Sequence, residues 1–308
     1  MDQDFTKLAA ATELKMYAEY MANWNVDSKG EVKTNPENRK KAAIGSKSFL
    51  EDAIRLAMQV NHSYVKTILD SSSQVTKGFM HELTNTTTSK INTFDLNQYL
   101  TTYSYDVALP LNGKTLSLGV ELASQYAKVQ NKTHSKQLLK LFDQWGVDLQ
   151  IVNDLGDFLP KMVSTNKSSC DRFSDIKNNT LTPPLYLILT GCDEKIKEEI
   201  LSFNENTIFT NEQEEHIMNT LFNSGSYKTT SKALKRSGRE IKKILEQIQG
   251  LHEPALSYLK LSASMFETST IYHRLNKLAP KEVPLHKYHD AVIKHHIQRY
   301  RNIYVGKY

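Results

Sequence analysis

Residues 145–157 read WGVDLQIVNDLGD and hold the densest set of side chains able to do chemistry. On a helix, Asn153 and Asp157 lie one turn apart and share a face, with Asp154 at its edge. Leu149, Val152, Leu155 and Phe158 surround them. Carboxylates on such an apolar face need a partner when buried, and a divalent cation is a common one. Hard oxygen ligands suit Mg2+, which completes its shell with water and phosphate oxygens. The same spacing also describes an acidic helix edge facing water. Lys161 and Lys167 follow the motif and are candidates for touching a phosphate, with a solvated loop as the alternative. Cys170 has no histidine at catalytic spacing, which argues against a thiol nucleophile. His289, His295 and His296 fit no common zinc spacing.

Long helices are the elements expected to position these groups. In 308 residues there are only 12 Gly and 8 Pro, too few breakers for a turn-rich sandwich or barrel. Helical periodicity runs over 5–24, 42–60, 62–84, 115–129 and 135–159. Another helix starts near Phe94, with Asp95 or Thr93 as N-cap, and is expected to break near Pro110. A short buried helix is expected at 183–190, and longer ones at 193–203, 211–222, 227–249, 253–277 and 286–304. No β-alternating run or hairpin signal is present. The pattern predicts an all-α fold, a single large helical bundle with a central cavity. No apolar run approaches the roughly 20 residues of a membrane helix. With no signal peptide and only Cys170 and Cys192, a cytoplasmic chain is expected.

Gly146, Leu149, Gln150, Ile151, Asn153, Asp154 and Asp157 resemble, in order and without gaps, the second aspartate-rich motif of the trans-isoprenyl diphosphate synthases (the polyprenyl synthetase family). That motif reads roughly G-x-x-F-Q-[IL]-x-D-D-x-x-D. Asp175-Ile176 and Leu181-Thr182-Pro183-Pro184 resemble the family's D-[LI]-x-x-G-K-x-T-L-P segment. Residues 43–54 are similar to its A-I-L-x-G-D helix, and Gly78 with Glu82 to its G-Q-x-x-D element. Where the first aspartate-rich motif belongs, the sequence reads Asn23-Trp24-Asn25-Val26-Asp27.

The resemblance implies the isoprenoid-synthase bundle, two metal motifs and Mg2+ holding an allylic prenyl diphosphate. Asn153, Asp154 and Asp157 then serve as metal ligands on one wall, and Asn23 and Asp27 on the other. Gln150 and Asp175 join Lys161 and Lys167 as substrate-binding candidates. The departures run in one direction. Asn23 and Trp24 replace two aspartates, and the family's Lys-Thr pair aligns with Asp106-Val107. Thr180 stands for the lysine of the D-[LI]-x-x-G-K segment, and Phe79 for the glutamine of G-Q-x-x-D. Each lost charge-assisted contact is worth about 1.5–3 kcal/mol. Three functions follow as expectations. They are divergent Mg2+-dependent prenyl transfer in isoprenoid biosynthesis, a non-catalytic partner subunit of an active synthase, and a terpene-cyclase-like prenyl diphosphate lyase. A homodimer, or a heterodimer with a related synthase, is expected.

Charge adds one further expectation. Residues 281–308 hold six Lys or Arg against Glu282 and Asp290, which is +4 of the chain's +5. Division into a helical domain over 1–280 and a basic extension over 281–308 follows. Val292, Ile293, Ile297, Tyr300 and Tyr304 form an apolar stripe opposite Lys294, His295, Arg299 and Arg301. This predicts a docked last helix, or a basic amphipathic helix touching a membrane surface. No nucleic-acid-binding motif is present.

Overall fold

Side chains at the helix starts explain much of the segmentation. Asn35 accepts the Glu37 N–H at 2.9 Å just before Pro36, and Thr210 closes a capping box with Gln213. Asp95, one of the two expected caps, does the same with Gln98. The computed structural model describes residues 2–27, 35–129, 132–159, 172–248, 251–268 and 270–304. The described chain runs α1 (Gln3–Asp27), α2 (Pro36–Val60), α3 (His62–Asn85), α4 (Leu96–Thr102), a π-helical stretch (Tyr103–Gly113) and α5 (Lys114–Tyr126). It continues as α6 (Lys132–Gly156), α7 (Ser174–Lys177), α8 (Pro183–Gly191), α9 (Glu194–Ser202), α10 (Asn211–Asn223) and α11 (Ser226–Gln247). The last elements are α12 (Glu253–Ala263), α13 (Met265–Thr268), α14 (Thr270–Leu278) and α15 (His289–Tyr304). Among the described residues there is no strand, only an isolated bridge between Thr87 and Thr180. The fold is all-α, as the sequence predicts.

Two differences have local causes. Pro110 does not end its helix, because the chain there widens into the π-helical stretch that continues to Gly113. The single helix expected over 253–277 is interrupted at Ser264, the turn between α12 and α13. Ser262 and Ser264 donate their hydroxyls to the carbonyls of Tyr258 and Lys260, both at 3.0 Å, competing with the helical ladder at the break.

The chain divides into two compact units, residues 1–80 with 107–146 and residues 81–106 with 147–308. Every boundary falls within α3, the π-helical stretch or α6, so no linker composition marks it. In the first unit, α1 and α2 pack on each other, and the small residues Ala11, Ala53 and Ala57 share one buried cluster. Leu8, Tyr64, Ile68, Leu118 and Leu122 complete that core. Gly146, on α6, marks a close crossing. A Cβ there would stand 2.5 Å from the Asn112 carbonyl oxygen and from Gly113 Cα, so only hydrogen fits.

In the second unit, Val147, Ile151 and Leu155 form the buried stripe of α6. The short α8 is buried from Pro183 to Leu189, matching its continuous apolar run. Around them, Ile217, Leu221, Leu234, Ile241, Leu245 and Leu275 are also buried. The last helix, α15, belongs to this unit and packs on α11. No helix among the described residues is long and apolar enough to cross a membrane.

Candidate functional site

The first-motif residues lie at the end of α1, in the first unit. Asn23 is half-buried, and Asp27 is the last residue of the helix. Two turns before Asn23, Lys15 is fully buried and ion-paired to Glu19. Lys15 Nζ donates to Ser71 Oγ at 2.8 Å, and Thr115 Oγ1 donates to Glu19 at 2.6 Å. Burial lowers the Lys15 pKa and raises that of Glu19, with each partner opposing the shift of the other. Leu8, Ala11, Lys15 and Ala18 form the buried stripe of α1. A lysine on that apolar stripe was the available sequence signal for this pair.

The second-motif residues belong to the second unit. They do not share one helical face. Helix α6 ends at Gly156, and Asp157 sits in the turn beyond it. Asn153 is exposed on the last turn, whereas Asp154 and Asp157 are only 3% and 2% exposed.

Both buried carboxylates are filled by protein donors. Asp154 accepts the Tyr103 hydroxyl on one oxygen and Gln150 Nε2, at 2.9 Å, on the other. Asp157 accepts Ser174 Oγ at 2.9 Å and the Asp175 backbone N–H at 3.0 Å. These contacts fasten the first turn of α7 to the end of α6. Asp175 in turn accepts Thr182 Oγ1 at 3.0 Å. Gln150 and Asp175, expected at the substrate, therefore hold neighbouring side chains. Tyr99 extends the network, donating to the Leu181 carbonyl at 2.8 Å and stacking on Tyr186 at 4.2 Å. Burial, followed by the nearby Asp154 charge, raises the Tyr103 pKa well above its ordinary value, so its hydroxyl stays a donor. Lys161 and Lys167 lie outside the described residues.

This donor set does not fit Mg2+. An ion of that charge demands nearly octahedral hard oxygens and is usually held by carboxylates. The exposed member, Asn153, brings a neutral amide oxygen. The two carboxylates are buried and serve four protein donors. Among the described residues, no group of three or more His, Cys, Asp or Glu side chains is placed to hold a metal ion.

The sequence reading missed a second acidic centre on α6. Asp148 is 0% exposed, yet it receives Arg299, the Tyr300 hydroxyl and, at 3.3 Å, His296 Nδ1, all from α15. Burial alone would raise the Asp148 pKa, but Arg299, His296 and Tyr300 outweigh it and lower it to about 2. His295 bonds Ser104 Oγ at 3.0 Å, and burial followed by the Arg299 charge lowers its pKa to about 3. Arg299 and His295, expected on the solvent face of the last helix, thus point inward. Arg299 does so because it neutralises a buried aspartate.

Comparison with solved structures places the fold. A polyprenyl synthase from Caulobacter crescentus CB15, solved with calcium and isoprenyl diphosphate, superposes with a TM-score of 0.72 at 16% identity, over 89% of this chain and 80% of that one. A decaprenyl diphosphate synthase from Rhodobacter capsulatus gives 0.68 at 18% identity, over 87% and 79%. The heptaprenyl diphosphate synthase from Staphylococcus aureus gives 0.66 at 15%, over 87% and 81%. The chain has the fold of the prenyl diphosphate synthases. No protein-family model matches the sequence, and no curated protein sequence matches it.

Proposed function

We propose that this chain is a non-ionising member of the prenyl-synthase fold that works in isoprenoid metabolism as the partner subunit of an active prenyl diphosphate synthase. One observation carries the reading. The carboxylates of Asp154 and Asp157 are buried and committed to Tyr103, Gln150, Ser174 and the Asp175 N–H. A diphosphate leaving group needs cations beside it. Asp106 and Thr180 stand here at the two positions where such synthases carry lysines. A subunit role needs apolar surface, and the first unit exposes Ile44 and Met58 on α2 and Leu69 and Met80 on α3.

A second reading is Mg2+-dependent prenyl transfer, or a cyclase-like lyase, acting on an allylic prenyl diphosphate. Its support is Asn153, whose exposed amide stands at the start of the motif. The experiment that separates the two uses Mg2+ with geranyl, farnesyl and geranylgeranyl diphosphate, each with and without isopentenyl diphosphate. The partner reading expects no pyrophosphate release and no rise in melting temperature with Mg2+ plus pyrophosphate. It also expects co-elution with a prenyl diphosphate synthase on coexpression. Release of pyrophosphate that Asn153→Ala abolishes would refute it and establish the second reading.

A further inference from the structure

Helix α11 carries a basic stripe. Lys228, Lys232, Arg236, Arg239 and Lys243 recur every three or four residues, so they occupy one face over about 22 Å. Lys232, Arg236, Arg239 and Lys243 are exposed. Among the described residues, Lys232 and Arg236 have no ion-pair partner, whereas Lys243 is paired with Glu240 at 2.8 Å. The opposite face of the helix is buried through Leu234, Ile241 and Leu245.

Residues 281–288 lie against the first turns of this helix. The Val283 carbonyl accepts Lys228 Nζ, and the His286 N–H donates to Thr229 Oγ1 at 3.1 Å. Val283 and His286 are buried as anchors. The intervening side chains consequently face outward: Leu285 is 43% and Tyr288 37% exposed, with Lys287 Nζ 5.1 Å from the Tyr288 ring centre. Just beyond, His289 stands within the fields of Lys228, Lys232 and Arg236. Two exposed apolar side chains therefore adjoin the start of the basic stripe. Counting α11 with residues 281–290, nine Lys or Arg face four acids, Glu240, Glu246, Glu282 and Asp290.

We infer that α11 and the 281–288 segment form a docking surface for an anionic lipid membrane. The partner is fixed by charge complementarity together with the apolar pair. Acidic headgroups attract a linear row of Lys and Arg, while a leucine and a tyrosine at one end enter the headgroup boundary. A polyanion without an apolar phase uses the charges but not Leu285 or Tyr288. The membrane contact thus moves from the face of α15, where Arg299 is turned inward, to α11 and the loop before α15.

The test is flotation of the full chain with phosphatidylcholine vesicles, with or without phosphatidylglycerol. The chain is expected to float with the anionic vesicles only and to be released by added salt. Lys232→Glu with Arg236→Glu should lower the partition coefficient by at least about tenfold. Leu285→Ser with Tyr288→Ser should lower it severalfold at unchanged charge. All four side chains are exposed, so circular dichroism melts of both double variants should match the parent. Equal flotation with neutral vesicles, no flotation at all, or indifference to the charge reversals would overturn the inference. Retention on double-stranded DNA that survives the Leu285/Tyr288 change, without vesicle binding, would overturn it in favour of a nucleic-acid surface.

Discussion

Replacing Asp148 by Asn keeps the shape of a buried side chain and removes its charge. Asp148 is fully buried and anchors Arg299, Tyr300 and His296. Its pKa of about 2, against an ordinary 3.8, means that folding favours the anion by on the order of 2 kcal/mol at neutral pH. That contribution is fully present above pH 4 and is lost as pH falls through about 2. The variant loses more than this, because it leaves Arg299 stranded. Two further guanidinium nitrogens of Arg299, Nε and Nη1, are buried without a hydrogen-bond partner among the described residues. Breaking a buried pair from one side costs about 3–5 kcal/mol. Urea titration followed by far-UV circular dichroism should show that loss for Asp148→Asn. The double variant Asp148→Asn/Arg299→Met removes the stranded charge and should recover about 2 kcal/mol of it. A single-variant cost under about 1 kcal/mol, or a double variant no more stable than the single, would refute the reasoning.

Three other outcomes are expected. Acid should destabilise the fold well above the carboxylate range. Burial, then Lys287, holds the folded pKa of His286 at about 4, and burial, then Arg299, holds that of His295 at about 3. Both values lie below 6.5, so stability present above pH 6.5 falls as the unfolded chain takes up protons, by about 1.4 kcal/mol per pH unit for each histidine. A melting temperature that stays flat from pH 7 to 5 would contradict this. Asp157→Ala removes the acceptor for Ser174 and the Asp175 N–H and should cost about 3 kcal/mol in a denaturant melt, with or without Mg2+. An Mg2+-dependent cost would argue for a metal ligand instead. Gly146→Ala drives a methyl group into the backbone of Asn112 and Gly113 and should cost about 3 kcal/mol; a parent-like melt would refute that crossing.

Helices were legible where apolar period and caps agreed. Asp95 and Gln98 mark the start of α4, and the seven-residue apolar run from Pro183 to Leu189 marks α8. The two units were not legible, because each boundary lies within continuous helix or π-helix. The motif on α6 was legible as a string of residue types, but its burial was not. Gly156 ends the helix one residue before Asp157, which turns the last carboxylate toward Ser174. Nothing in the local sequence of Asp148 points to Arg299, which lies 151 residues further on. Similarly, the tally of charge in residues 281–308 could not separate inward-facing Arg299 from outward-facing Lys287.

That separation in sequence has a consequence for synthesis. A ribosome delivers Asp148 long before Arg299 and Tyr300, yet the aspartate is buried only in their company. Until then its carboxylate must remain in water, since an unpaired charge resists burial. The second unit therefore cannot close around α6 as the chain emerges, whereas the first unit, drawn from residues 1–80 and 107–146, is complete before Asp148 is made. Translation thus imposes an order on the two units, and a nascent chain arrested before residue 299 should carry a finished first unit and an open second one.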